Sequence, residues 1–169
     1  MKVSIIAAMD QKRGIGKDNR IPWRIKEDFV HLRNLTKDHI VILGRKTYDS
    51  MVFYYNKSGN PMPGKLYIVV TRDKSYKPVR ENAMIANSLE EALSFARGRL
   101  AKLEEVFVIG GAQIFEQTIG LADKLYLTIV EGEFDADTFF PDYSDFKKVV
   151  SEEKRESGGF KYKFIEIEK

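Results

Sequence analysis

The chain has 169 residues, 43% of them hydrophobic, and its 28 basic and 25 acidic side chains leave a formal net charge of +3. That length and apolar content suit one domain with a sizeable core and would leave a second domain undersized. A charge so nearly balanced, without a basic block, argues against a nucleic-acid groove, and the absence of cysteine excludes disulfides and thiolate metal sites.

The two histidines, His31 and His39, lack a ligand-like spacing, so no metal is expected. No apolar stretch reaches the roughly 18 residues of a membrane span, and the chain begins directly with a strand-like run. A cytoplasmic protein without nucleic-acid or membrane partners is the expectation, working as a monomer on a small molecule.

Val3 to Met9 is a short, nearly continuous apolar run, suited to a central strand covered on both faces. Asp10 to Arg24, with Gly14, Gly16, Asp18-Asn19 and Pro22, shows no sustained period and reads as a long loop. Loops of that length in compact domains are usually functional or disordered. The apolar Ile15, Ile21 and Trp23 favour a lid that folds down over a site. From about Ile25 the apolar residues recur at 25, 29, 32 and 35, the stripe of an amphipathic helix. Asp28 lies inside that stripe. A lone acid aimed at the interior requires a polar partner or a ligand, and a satisfied structural aspartate is the plain alternative.

His39 to Leu43 is a second strand candidate, followed by Gly44-Arg45-Lys46-Thr47 at a helix start. Free backbone N–H groups, two cations and a hydroxyl make an anion-binding arrangement, although basic residues at a turn are often merely solvated. Val52 to Pro63 reads as a loop with Ser-Gly-Asn-Pro turn chemistry, and its Phe53-Tyr54-Tyr55 cluster either packs on the body or walls a cleft. Leu66 to Val70 is a strand ending in Thr71-Arg72-Asp73, a cation and a hydroxyl where α/β sheets open their ligand crevice. A short strand near Ala83 to Ala86 precedes a capping box of Ser88 and Glu91, which opens a packing helix to about Lys102.

Val106 to Ile109 runs through Gly110-Gly111 into a helix from Ala112. Glycines there allow close backbone approach to a cofactor, or simply a tight packing turn, and the pattern is not the G-x-G-x-x-G fingerprint. Leu125 to Val130 is another buried strand, carrying Thr128. Lys147 to Glu153 and Phe160 to Ile167, joined by Glu156-Ser157-Gly158-Gly159, read as an antiparallel hairpin. The predicted fold class is α/β: a single-domain, mixed, mostly parallel central sheet flanked by helices, with a C-terminal hairpin closing its edge. Three strand-to-helix turns, bearing Arg45, Arg72 and Gly110-Gly111, are expected on one edge of that sheet.

Over essentially its whole length this order resembles the dihydrofolate reductase family. The residues that carry the resemblance are Ile6-Ala7-Ala8, Gly16, Ile21-Pro22-Trp23, Asp28, Gly44 to Ser50, Pro61-Met62-Pro63-Gly64, Thr71-Arg72, Val108 to Gly111 and Phe140 to Tyr143. The resemblance implies reduction of 7,8-dihydrofolate by NADPH. It implies that Asp28 hydrogen-bonds the pterin edge with support from Thr128, and that a proton reaches the pterin through water near Trp23 and Ile21. Ile6, Ala7, Ala8, Phe29, Leu32, Met51, Met62, Ile109 and Phe115 match the family's apolar walls. Ala8, Gly44, Arg45, Lys46, Thr47, Thr71, Arg72, Ile109, Gly110, Gly111, Ala112, Gln113 and Ile114 match its cofactor contacts, with Ile15 and Gly16 on the mobile lid.

The sequence also departs from the family. Lys65 stands where the family places an arginine that forks onto the substrate's glutamate tail, and lysine keeps the charge without the bidentate geometry. Arg33 or Lys57 is the substitute the chain offers. The segment from Val52 to Asn60 is longer than in compact bacterial forms, and Gln113 stands where some relatives supply a cation. Lys65 also admits a related pyrimidine reductase of riboflavin synthesis, against which Asp28 after Ile-Pro-Trp argues. A non-catalytic nucleotide-binding module of the same fold is the third reading.

Overall fold

The apolar run from Val3 to Met9 forms the middle of β1 (Lys2–Asp10), and β1 is central: β6 (Glu105–Val108) and β7 (Lys124–Val130) flank it, both parallel to it. The computed structural model describes residues 1–101 and 104–169. β3 (Ile40–Gly44), β4 (Leu66–Val70) and β5 (Ala83–Ala86) extend the parallel sheet on one side. β9 (Lys148–Ser157) and β10 (Phe160–Glu168) close the other side antiparallel, giving the order β5-β4-β3-β6-β1-β7-β10-β9. Gly158 and Gly159 turn that hairpin with φ of 59° and 82°. Positive φ at both central residues is what a two-residue turn matching strand twist demands, and glycine meets it without a Cβ clash.

Alternation along β1 divides the core. Ile5, Ala7 and Met9 pack with Ile42, Ile68, Val108 and Leu127 beneath α3 (Leu89–Arg97) and α4 (Ala112–Thr118). Ile6 faces the other way with Phe107 and Tyr126, beneath α1 (Lys26–Thr36). Each fully buried aliphatic chain contributes about 1.5–3 kcal/mol relative to exposure, so the two-sided strands anchor the fold. The Ser88 hydroxyl accepts the Glu91 amide at 3.0 Å and starts α3, which ends at Arg97. The expected end near Lys102 lies outside the described residues.

Three expectations require correction. Val52 to Pro63 is not a loop throughout: α2 runs from Arg45 to Ser58 and stops at Gly59, left-handed at φ 75°, with Pro61 beyond. Tyr48, Val52 and Tyr55 are its buried stripe, spaced as a helix requires. The lid is also not wholly irregular, because β2 (Gly14–Gly16) pairs antiparallel with β8 (Thr138–Phe139). Finally, Thr71-Arg72 does not lead into a helix but into a bent segment before β5. It still shares the C-terminal edge of the parallel strands with Gly44 and Gly110.

Candidate active site

α1 carries Asp28 onto the sheet face where β7 presents Thr128. The Thr128 hydroxyl donates to Asp28 Oδ1 at 2.6 Å, joining residues 100 apart in sequence. Burial pushes the Asp28 carboxyl pKa up from its ordinary 3.8, and the Thr128 hydrogen bond pulls it partly back. Among the described residues, the neutral Thr128 hydroxyl is the side-chain partner that offsets the desolvation of this acid. On its far flank α1 is pinned by Tyr162, whose hydroxyl donates to Glu27 at 2.5 Å, and by His31 stacked on Phe164 at 4.0 Å.

The register Ala8↔Thr128 and Ile6↔Tyr126 sets Ile6 and Ala8 on the Asp28 face. Leu32 and Ile109 pack beside Ile6, and Ile109 also touches the cluster under α2 that includes Met51 and Met62. Since Val41 and Tyr67 share this face with Phe107 through the β3 register, α1 and α2 lie side by side over one sheet surface. The sheet surface between them, where Ile109 packs against the clusters beneath both helices, is the candidate ligand groove. Ala7 and Phe115 are not brought to it: both pack in the core under α3 and α4. Lys65 lies at the opposite, N-terminal edge of the strands, lining a polar cavity with Asp38, His39, Glu104 and Glu105.

Trp23 is 5% exposed and packs with Ala8, Val130 and Phe134, the last at 5.2 Å edge-on. Its indole N–H is buried without a partner among the described residues. Ile21 is 54% exposed, so the lid does not press this residue onto the groove. Ile15 is half-buried against the main core, and Gly16 pairs with Thr138.

At the C-terminal edge, the Gly44 amide donates to the Gly110 carbonyl at 2.7 Å, so the two turns lie together. The Gly110–Gly111 peptide is cis, and Gly110 has φ +127°. A Cβ on Gly110 would sit 3.3 Å from the Phe115 ring, which backs the turn. The Thr47 hydroxyl lies 3.6–3.7 Å from where Cβ atoms on Gly111 and Gly110 would be. Ala112 and Gln113 open α4, and Ile114 is buried in the core beside Gly44. Lys46 and Arg72 are exposed, and Thr71 is half-buried at the end of β4.

Arg45 is held from three sides. Its guanidinium is 3.2 Å from Asp73 and 3.7 Å from Asp49, and lies 4.3 Å above the Tyr76 ring. The Tyr76 hydroxyl donates to Asp49 at 2.5 Å. The Ser75 hydroxyl and amide donate to Asp73 and hold its carboxyl below the ordinary carboxylate range. Asp49, Asp73 and Tyr76 were not singled out from sequence. Asp49, four residues after Arg45 on α2, carried a readable helical signal, whereas Tyr76 carried none.

A family profile described as dihydrofolate reductase matches residues 2–169. The chain is 40% identical over 168 residues to a dihydrofolate reductase of Staphylococcus haemolyticus, covering 97% of this chain and 93% of that protein. It is 37% identical to the dihydrofolate reductase of Bacillus subtilis (strain 168), over 99% and 94% of the two chains. A dihydrofolate reductase type 3 of Salmonella typhimurium is 37% identical over 85% and 80%.

Proposed function

The chain belongs to the dihydrofolate reductase family and is an oxidoreductase, and from that premise we propose that it reduces 7,8-dihydrofolate to 5,6,7,8-tetrahydrofolate with NADPH. The observation that carries this reading is Asp28, a part-buried carboxylate whose one side-chain partner among the described residues, Thr128, leaves acceptor capacity free. A planar ring offering two N–H donors at one edge meets that capacity in a charge-assisted, bidentate way. Asp28 orients and polarises the pterin. Thr128 fixes the carboxylate so that its second oxygen faces the ligand.

The residues present fit a nicotinamide dinucleotide: two glycine turns in contact, the Thr47 hydroxyl beside them, and three cations on the same edge. When bound, that cofactor supplies the hydride. Arg45 and Arg72 favour NADPH over NADH, because their charge matches the additional phosphate. Trp23, through its unpartnered indole N–H, positions the water that carries a proton toward the pterin nitrogen. Ile21 and its lid exclude bulk solvent when they close.

Lys65 shares its cavity with three carboxylates, so its charge is locally offset. Arg33 on α1 makes no ion pair among the described residues and lies close enough to bias the Tyr55 phenol. It is the better-placed cation for the substrate's carboxylate tail. The test is the loss of NADPH absorbance with and without dihydrofolate, for the parent and for Asp28→Asn. Oxidation that depends on dihydrofolate and collapses in Asp28→Asn is the expected result. A parent protein that oxidises no NADPH when dihydrofolate is added overturns the reading.

A further inference from the structure

The three consecutive aromatic residues of α2 have three different fates. Phe53 is 72% exposed, Tyr55 is buried in the body, and Tyr54 crosses to α1. There its ring stacks on Phe29, with centroids 5.1 Å apart and planes 12° from parallel, while Tyr55 meets it edge-on at 5.2 Å. Neither Phe29 nor Tyr54 belongs to any buried cluster among the described residues. The Phe29–Tyr54 ring pair therefore joins the two helices outside the buried clusters. Phe29 directly follows Asp28, so the stack bridges the groove one residue from the acid.

We propose that Tyr54 is a specificity-determining latch: its ring occupies the face of Phe29 that an extended, aryl-bearing substrate must reach, and the substrate's aromatic group takes its place there. The inference rests on the dihydrofolate reading, in which the pterin sits at Asp28 and the aryl group lies beyond it. An aromatic stack outside the buried core is weak enough to exchange at little cost. A flat aryl group restores the same kind of contact on Phe29, whereas a ligand that ends at Asp28 never meets the latch. The exchange also runs in reverse. Tyr54 competes for Phe29 as product leaves, which hastens release.

Tyr54→Ala and Tyr54→Phe test this with two ligands, dihydrofolate and a dihydropterin lacking the aryl tail. KM is measured in steady state, and association is followed by quenching of Trp23, the sole tryptophan. Tyr54→Ala is expected to lower KM for dihydrofolate about threefold to tenfold, with faster association and slower dissociation. The KM for the truncated ligand stays within about twofold, and Tyr54→Phe, which keeps the ring, restores parental values. An unchanged or raised KM for dihydrofolate in Tyr54→Ala, or an equal shift for both ligands, overturns the latch. A parent without dihydrofolate-dependent turnover is a different failure: it overturns the functional reading and takes the latch with it.

Discussion

Asp28 on α1 and Arg45 at the start of α2 are the two charges most sharply set apart by their surroundings, and they are treated in opposite ways. Asp28 is part-buried and has one neutral partner, so its charge is under-compensated. Arg45 is open to solvent yet faces two carboxylates and an aromatic ring, so its position is fixed while its charge stays accessible. Desolvated, partly unmet charge stores affinity for a ligand of complementary shape. A caged surface charge gives orientation, and each of its exposed pairs is individually weak.

The sharpest way to break that contrast is Asp28→Asn. Turnover of dihydrofolate should fall by about a hundredfold or more, read as kcat/KM, while the fold survives. Retained turnover would show that the buried acid is structural. The stability of the same variant carries a sign that can be worked out. Asp28's folded-state pKa lies above the ordinary 3.8, so its protonated form is the one the fold favours. That contribution is fully present below about pH 3.8 and is lost as pH rises through the folded value. Asp28→Asn should therefore lack this decline and exceed the parent near neutral pH, with the gap closing in acid. Urea midpoints across the pH range measure it.

Next in size, replacing Arg45 and Arg72 together by glutamine should reduce NADPH:NADH selectivity about tenfold or more. Unchanged selectivity would place the phosphate contact elsewhere. Thr128→Val removes the donor that lowers the Asp28 pKa, so the pH window of declining stability should move upward. Its kcat/KM should fall about fivefold, as loss of one charge-assisted hydrogen bond allows. The smallest effect belongs to Asp73→Asn, which releases one of two carboxylates from Arg45. A change in KM for NADPH below about threefold, toward tighter binding, is expected from an exposed pair. A larger loss would mean that orientation of Arg45 outweighs its net charge.

The contrast also explains what the sequence disclosed. Asp28 was legible because it interrupts an apolar stripe, a local pattern that needs no partner to be seen. Its partner Thr128 entered through resemblance, since 100 residues separate them. β1, β3, β4, β6 and β7 were legible as short apolar runs, and α3 through its capping serine. The cage around Arg45 was hidden because Tyr76 and Asp73 reach it from a bent segment with no periodicity. The last turns of α2 are hard to see in the sequence for a different reason. Ser58-Gly59-Asn60-Pro61 carries turn signals that hide the helix before it, whose left-handed stop is Gly59 and whose buried side Tyr48, Val52 and Tyr55 mark. The exposed Phe53 and bridging Tyr54 blurred that stripe, as residues committed to something other than the core do.

The position of β1 has a consequence for how the molecule is made. β1 is paired on both sides by strands that lie far downstream: Ile5 lies opposite Val108, and Ala8 opposite Thr128. At a ribosomal pace of roughly 5–20 residues per second, this apolar segment waits several seconds before either neighbour exists. Contacts so distant in sequence also close slowly once the chain is complete. The nascent N-terminal half, with α1, α2 and Asp28 but no central partner strands, cannot complete its own sheet. A truncated or stalled chain would expose Val3 to Met9 as an open edge on both sides, and that run is where misassembly and chaperone capture would begin.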